Sequence, residues 1–149
     1  MLNALNKSDQ AASFIYKDIP FFKTLITWNF FSNLFYKGVK PFKRLHGDGM
    51  MVFPKSPDAF EELIWRDNLE NYDTNGIFKI LTDKYENKKF KDFYKTHIKK
   101  VLLIRGNKKR YISKGNYNIL RIKYIKKIFP DARFVICFRN PFENAKSAI

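Results

Sequence analysis

The clearest hydrophobic pattern in the chain lies in residues 87–104, where apolar side chains recur every three or four positions. That spacing places them on one face of a helix and leaves the lysines largely on the other. The inner stripe consists of Phe90, Phe93, Tyr94, His97, Ile98, Val101 and Leu102. The pattern predicts an amphipathic helix with a solvated basic face, and it favours His97 as a core residue over a ligand.

Other stretches are also typical of helices. Residues 21–36 carry many aromatic side chains at helical spacing. They predict a core or lid helix, or alternatively a wall for an apolar or sugar acceptor, or an interfacial helix. Ser56-Pro57-Asp58 has the capping residues of a helix start, which predicts a helix through residues 59–72. After a polar connector at Asn75-Gly76, the pattern predicts a short helix at 77–85 and a longer one at 118–129.

Two stretches predict strands. Residues 12–19 form a short candidate that ends at Pro20, and residues 133–138 (RFVICF) are almost wholly apolar. Such a run is typical of a central parallel strand covered on both faces. A helix, a short loop and a buried strand make half of a βαβ unit. The sequence therefore predicts an α/β fold, a partial parallel sheet flanked by helices, in a single domain spanning residues 1–149.

The charge balance is strongly basic, because 29 Lys and Arg face 14 Asp and Glu and give a net charge of +15. This favours polyanionic partners such as nucleic acid, anionic lipid, sulfated sugars or a phosphate-rich cofactor. The single cysteine, Cys137, excludes an intramolecular disulfide and makes a reducing, cytoplasmic compartment the default. No cluster has metal-ligand spacing, and the most apolar stretch is too short to span a membrane.

Basic residues stand where strands are predicted to end. Lys114 follows RYIS, and Arg139 follows the apolar run 133–138. Ligands of open α/β sheets bind at the carboxyl ends of the strands, and a guanidinium group suits a phosphate dianion. Ser147 lies eight residues after Arg139, in a helix predicted to begin near Phe142. Together these residues are suited to bind a phosphate anion, as in half of a nucleotide-dependent group-transfer site. The alternative is that Arg139 pairs with a carboxylate, as many arginines at strand ends do.

Residues 111–147 resemble the second conserved region of the sulfotransferases that use 3′-phosphoadenosine 5′-phosphosulfate (PAPS). In that family a lysine at a strand end leads to a helix, an F-P-[DN]-A-[RK] turn and an apolar strand. That strand ends in R-[DN]-P, and a serine lies eight residues beyond the arginine. In this chain the matching residues are Lys114, FPDAR at 129–133, RNP at 139–141 and Ser147.

The resemblance implies a P-loop-like sulfotransferase fold and PAPS as the donor co-substrate, with no metal. It assigns Arg139 and Ser147 to the 3′-phosphate of PAPS and places Lys114 near the transferring sulfuryl group. Bacterial and tyrosylprotein-type members begin with a strand and a G-T-T-type loop, whereas no glycine here precedes Gly38. The resemblance therefore implies a fragment, incomplete at both ends, with little or no transferase activity of its own.

The transfer needs a base to take the proton of the acceptor hydroxyl, and cations to stabilise the leaving phosphate. His46, in a glycine-flanked loop beside Asp48, is one candidate base. Glu61 and Glu62, in the first turns of a predicted helix, are the others. Family members use either His or Glu, so the choice stays open. The expected acceptor is a hydroxyl or amine of a carbohydrate, lipid or peptide.

Two other functions fit parts of the sequence. The net charge and the lysine-rich helices fit a basic, non-catalytic module that binds nucleic acid or an anionic surface. A related kinase-like nucleotide binder is the third possibility, and a GKS/T-type loop in place of a G-T-T-type loop would distinguish it. The sulfotransferase interpretation implies no specific nucleic-acid partner.

Overall fold

The structure is a computed structural model that describes residues 5, 8–43, 51–57, 61–74 and 77–137. Within these ranges short strands alternate with helices. In chain order the elements are β1 (Ala11–Ala12), a 3-10 helix (Tyr16–Thr24), α1 (Leu25–Phe35), β2 (Phe42–Lys43), β3 (Met51–Val52), α2 (Glu62–Asn68), β4 (Asp73–Thr74), β5 (Ile77–Phe78), α3 (Lys88–Ile104), β6 (Arg110–Tyr111), a 3-10 helix (Asn116–Arg121) and α4 (Ile122–Ile128). No helix in these ranges is long and apolar enough to cross a membrane.

Strands β1 and β6 form a parallel pair, although about a hundred residues separate them along the chain. Ala11 lies opposite Arg110 and Ala12 opposite Tyr111. The amide of Ile112 extends the ladder by donating to the Ala12 carbonyl at 2.8 Å. Strands β2 and β3, and likewise β4 and β5, form antiparallel pairs. The fold is therefore α/β with a small parallel pair, as predicted, and the two antiparallel pairs are additional to the prediction.

Helix α3 confirms the prediction for residues 87–104. Asn87 caps it, because the side-chain oxygen of Asn87 accepts a hydrogen bond from the Phe90 amide at 2.9 Å. Such a cap satisfies one of the amides that have no partner inside the helix. The helix buries Phe90, Tyr94, His97 and Val101, which belong to the predicted inner stripe.

The core is built mainly from aromatic side chains around Trp65 of α2, which is fully buried. The ring centroid of Trp65 lies 4.7 Å from that of Phe90 and 5.0 Å from that of Tyr94. It lies 6.4 Å from both Tyr72 and Tyr124. Large aromatic side chains dominate core energetics because each removes much apolar surface from water. The packing around Trp65 therefore joins α2, α3 and α4 into one unit.

The strand predicted at residues 12–19 is wrong beyond Ala12, since the chain enters a 3-10 helix at Tyr16. The Asp18 carboxylate accepts a hydrogen bond from the Ile15 amide at 3.1 Å, which closes the first helical turn. The amide of Lys17 donates to the Pro54 carbonyl at 2.9 Å. These bonds use backbone donors that a longer strand would need for its ladder.

The helix predicted at residues 77–85 is also wrong. Ile77–Phe78 is a strand, β5, and Thr74 of β4 lies opposite Ile77. The sequence Asn-Gly stands between these strands, and that dipeptide between two strands is a strong hairpin signal. Residues 75 and 76 themselves lie outside the described part of the chain.

The buried strand predicted at residues 133–138 is absent from its described part, residues 133–137, and these side chains are mostly exposed. Val135 is 74% exposed and Ile136 is 51% exposed. A central strand needs hydrogen-bonded neighbours on its edges, and β1 and β6 pair only with each other within the described residues. The helix predicted at residues 118–129 is confirmed: the 3-10 helix Asn116–Arg121 continues directly into α4.

Helix α2 begins at Glu62, later than the predicted capping residues. The hydroxyl of Ser56 instead accepts a hydrogen bond from the Phe53 amide at 2.9 Å, inside a turn. Residues 58–60 lie outside the described part of the chain. Residues 25–35 are helical as predicted, and the face of the helix that carries Phe30 lies outside the core, because Phe30 is 76% exposed. The lid, acceptor-wall and interfacial interpretations of this helix stay predictions.

His97 lies in the core as predicted, with its ring centroid 5.4 Å from that of Phe14 and 6.0 Å from that of Phe93. Burial, helped by the nearby charge of Lys100, lowers the pKa of His97 from 6.5 to about 4. The unfolded chain therefore takes up a proton at a higher pH than the folded protein does. Stability is lost as the pH falls from 6.5 towards 4.

Replacing His97 by phenylalanine is expected to remove this acid sensitivity while keeping the ring in the core. The predicted difference grows between pH 6.5 and 4 to on the order of 3 kcal/mol in favour of the variant. Thermal or urea unfolding of both proteins across that pH range measures it. A difference in unfolding free energy that does not change with pH would contradict the expectation.

Candidate functional site

A buried carboxylate, Glu61, lies directly before α2 and beyond the end of β6. Glu61 is only 4% exposed. Its two oxygens accept hydrogen bonds from different elements, one from the hydroxyl of Tyr94 on α3 and the other from the hydroxyl of Ser113. Ser113 follows β6 by two residues and immediately precedes Lys114. The fold thus places Glu61 beside the carboxyl end of a parallel strand.

The environment of Glu61 favours its protonated form. Burial raises the pKa of Glu61, while hydrogen bonds from Ser113 and Tyr94 and the charge of Arg121 partly oppose that rise. Burial and the nearby Glu61 carboxyl also raise the pKa of Tyr94 and Tyr111 well above the ordinary tyrosine value. A carboxyl group with a raised pKa is a stronger proton acceptor when ionised, which is what a general base requires.

Lys114 is exposed and stands three residues after β6. The backbone then turns at Gly115, whose carbonyl accepts a hydrogen bond from the Asn118 amide at 3.1 Å. A Cβ atom at Gly115 would lie 3.2 Å from the side chain of Asn118, which is tighter than most Cβ contacts. Glycine here therefore allows the 3-10 helix of residues 116–121 to start directly after the lysine.

Glu62 has a different environment from that of Glu61. Its carboxylate accepts two parallel hydrogen bonds from Arg121, at 3.1 Å and 2.9 Å. The guanidinium of Arg121 stacks 3.9 Å from the ring centroid of Trp65 and donates to the Tyr72 hydroxyl at 2.6 Å. Two-point pairing of this kind fixes both partners in orientation. Glu62 is thereby tied to the aromatic core.

Asn118 connects these two glutamates. Its side-chain oxygen accepts from Nε of Arg121 at 2.9 Å and from a terminal nitrogen of the same guanidinium at 2.7 Å. Its side-chain nitrogen donates to the Ser113 hydroxyl at 3.4 Å. A continuous polar chain therefore runs from Glu62 through Arg121, Asn118 and Ser113 to Glu61.

Of the residues singled out from the sequence, the structure describes Glu61, Glu62 and Lys114. One chain of hydrogen bonds joins the two glutamates through Ser113, and Lys114 directly follows Ser113 in the sequence. His46, Arg139 and Ser147 lie outside the described residues, so their positions relative to Glu61 are not defined. The structure adds partners that sequence reasoning missed, namely Ser113, Tyr94 and Arg121. Of these, Ser113 could have been found from the sequence, because its hydroxyl side chain stands next to the candidate lysine at a strand end and is suited to the same site.

A cavity of about 800 Å³ lies between the segment after α1 and the residues that follow β3. Its walls carry three lysines and one serine hydroxyl beside apolar groups. The lining residues are Lys17, Tyr36, Lys37, Gly38, Val39, Phe53, Pro54, Lys55, Ser56 and Pro57. None of them is a candidate site residue. Within the described ranges, no group of three or more His, Cys, Asp or Glu side chains is arranged to hold a metal ion.

A family model described as the sulfotransferase family matches residues 48–149. No curated protein and no solved structure matches the chain. The matched span includes Glu61, Glu62, Lys114, Arg139 and Ser147, whereas His46 lies just before it.

Proposed function

The chain belongs to the sulfotransferase family, and from that premise we propose that its residues form part of a site that moves a sulfuryl group from PAPS to a hydroxyl or amine acceptor, with Glu61 as the base. One observation carries the proposal. The buried carboxyl of Glu61 is hydrogen-bonded by Ser113, the residue directly before the candidate cation Lys114. A proton acceptor and a cation at the end of one strand are the two groups that this transfer needs.

In the proposed reaction the acceptor oxygen attacks sulfur while Glu61 takes the hydroxyl proton. A bond forms between the acceptor oxygen and sulfur, and the bond from sulfur to the bridging oxygen of PAPS breaks. The leaving group is adenosine 3′,5′-bisphosphate, and Lys114 stabilises the negative charge that develops on its bridging oxygen. With an amine acceptor, nitrogen takes the place of oxygen and the same proton transfer applies.

The surroundings of the two glutamates favour Glu61 over Glu62. Arg121 binds both oxygens of Glu62, so a proton could be taken up there only by breaking the two-point ion pair with Arg121. The two oxygens of Glu61 instead accept hydrogen bonds from the neutral hydroxyl groups of Tyr94 and Ser113, and burial raises the pKa of Glu61. His46 remains a candidate on the resemblance alone.

The donor half of the proposal rests on the resemblance. Arg139 and Ser147 would bind the 3′-phosphate of PAPS, within a P-loop-like sulfotransferase fold. The acceptor would be a carbohydrate, a lipid or a peptide. The alternative of a non-catalytic, basic binding module gains no support from the family match.

Titration calorimetry with adenosine 3′,5′-bisphosphate tests the donor site without requiring turnover. We expect binding that Arg139→Ala weakens by about tenfold to a hundredfold, since hydrogen bonds to charged groups contribute about 1.5–3 kcal/mol each. Arg133→Ala is the matched control, because Arg133 is exposed and lies six residues earlier. Equal affinity of the Arg139→Ala variant and the wild type would contradict the donor assignment.

A further inference from the structure

Helix α1 is inverted relative to an ordinary surface helix, because polar side chains occupy its inner face. Ser32 is fully buried, and its hydroxyl accepts a hydrogen bond from the ammonium of Lys17 at 3.1 Å. The side-chain oxygen of Asn29 accepts from Lys17 at 3.2 Å and from Arg105 at 3.2 Å. These bonds fix the rotation of α1, since turning the helix would leave buried polar groups without partners.

The outward face of α1 is apolar. Phe30 is 76% exposed, Leu34 is 74% exposed and Phe35 is 69% exposed. Ile26 and Phe31 are each about half exposed on the same helix. A helix on a water-facing surface normally places such residues inward. A contiguous set of this kind marks a contact surface for a partner or a membrane.

All the charged side chains in the chain segment that carries this face are positive. Residues 19–43 contain Lys23, Lys37, Lys40 and Lys43 and no aspartate or glutamate. Lys37, Lys40 and Lys43 are exposed and directly follow the helix, while Lys23 pairs with Asp67 at 2.8 Å. The partner of this surface must therefore be apolar where α1 meets it and anionic beside it.

Two aromatic residues of this region are of types common at interfaces, namely Trp28 in the first turn of α1 and Tyr36 directly after its last residue. Trp28 lies 4.5 Å from Phe21 and 5.8 Å from Phe35 between ring centroids, with Tyr36 edge-on at 6.3 Å. Tryptophan and tyrosine are enriched where a protein meets lipid headgroups, because one part of the ring system is apolar and another is polar. The indole N–H of Trp28 donates to the Lys17 carbonyl, so Trp28 would offer only its apolar ring to the lipid.

We propose that the outward face of α1 lies on an anionic lipid surface, with its phenylalanine and leucine side chains among the acyl chains and Lys37, Lys40 and Lys43 at the headgroups. The alternatives fit less well. Two copies of the chain would each carry a net charge of +15, and the repulsion between them opposes self-association. Nucleic acid would satisfy the lysines and leave the phenylalanine face in water. This contact with lipid is independent of the transfer reaction, and it would place that reaction at a membrane surface.

Co-sedimentation with phospholipid vesicles tests the proposal on the whole chain. We expect at least about tenfold stronger partitioning onto phosphatidylcholine vesicles with about 30% phosphatidylglycerol than onto pure phosphatidylcholine. Phe30→Asp with Leu34→Asp should weaken partitioning by at least about a hundredfold, because two apolar side chains that leave water on binding are replaced by charged ones. Lys37→Gln, Lys40→Gln and Lys43→Gln together should weaken it by about fivefold per lysine.

Matched variants elsewhere on the surface separate specific contact from general charge. Ile77→Asp with Ile80→Asp makes the same change in net charge at side chains that are 77% and 67% exposed. Lys84→Gln, Lys88→Gln and Lys89→Gln remove three exposed lysines at another place. Both control sets are expected to partition within about threefold of the wild type. Circular dichroism and melting temperature confirm that every variant is folded.

Two results would overturn the proposal. One is that the Phe30 and Leu34 substitutions weaken partitioning onto vesicles no more than the Ile77 and Ile80 substitutions do. The other is that the wild type does not bind vesicles but forms a concentration-dependent dimer, and that only the Phe30 and Leu34 substitutions dissociate this dimer. That result would assign the face to a second copy of the chain. Retention of bisphosphate binding by the Phe30 and Leu34 variant separates this contact from the donor site.

Discussion

Arg121→Met is expected to lower the free energy of unfolding by about 3–5 kcal/mol, the largest loss of stability that we expect from a single substitution. The guanidinium of Arg121 is 1% exposed, and its partner Glu62 is 17% exposed. Removing the arginine would leave the Glu62 carboxylate nearly buried without its cation. It would also remove the stacking on Trp65, whose ring centroid lies 3.9 Å away. Chemical denaturation at neutral pH measures the loss.

A double variant and a surface control sharpen this expectation. Arg121→Met together with Glu62→Met removes both charges, and we expect it to recover most of the lost stability. The ion pair of Lys127 with Glu86 is more exposed, at 34% and 72%. Lys127→Met should therefore cost less than about 1 kcal/mol. If Arg121→Met and Lys127→Met cost the same, the buried pair would not have the structural role assigned to it.

The sequence predicted local structure best where one element carries its own signals. Helix α3 has both a capping residue, Asn87, and an apolar stripe in which Phe90 and Tyr94 are one turn apart. These interactions lie within a few residues of one another, so the amino-acid sequence displays them. The boundaries of α3 agree with the prediction within one residue for the same reason.

Prediction failed where the state of a segment depends on distant partners. The apolar run 133–138 is typical of a central strand, but being a strand requires hydrogen-bonded neighbours that the run itself does not specify. Helix α1 shows the same limit in another form. Its aromatic spacing predicted burial, whereas the polar bonds of Asn29 and Ser32 to Lys17 determine which face points inward.

The candidate site was predictable in its residue types and only partly in its connections. The resemblance pointed to Lys114, and the chemistry of transfer pointed to a nearby carboxylate. Glu62 and Arg121 are separated by 59 residues, so a single sequence does not reveal that they pair. That pairing is what distinguishes Glu62 from Glu61, although the two residues are adjacent in sequence and were equal candidates before the structure was known.

The same substitution at these adjacent glutamates is expected to have opposite effects on stability. Because folding raises the pKa of Glu61, the folded protein holds the proton more tightly than the unfolded chain does. Stability therefore falls as the pH rises from 4.5 through the raised pKa. Glu61→Gln removes that loss, so the variant should gain stability over the wild type as the pH increases. Glu62→Gln should destabilise the protein, since it weakens the pairing with Arg121.

For catalysis the two substitutions are expected to rank the other way: Glu61→Gln should be the damaging one and Glu62→Gln the tolerated one. Removing a general base lowers the rate of the chemical step by about 10²–10⁴-fold. In a chain that also carries the G-T-T-type loop that the resemblance implies, Glu61→Gln should therefore nearly abolish sulfuryl transfer while bisphosphate binding persists. Glu62→Gln and His46→Gln should retain transfer in the folded fraction. Single-turnover assays with radiolabelled PAPS at high protein concentration measure the transfer, and thermal unfolding from pH 4.5 to 8 measures the stability. The opposite result would contradict this assignment: if the Glu61→Gln variant transfers at the wild-type rate and the His46→Gln variant does not, His46 is the base and Glu61 is a structural residue.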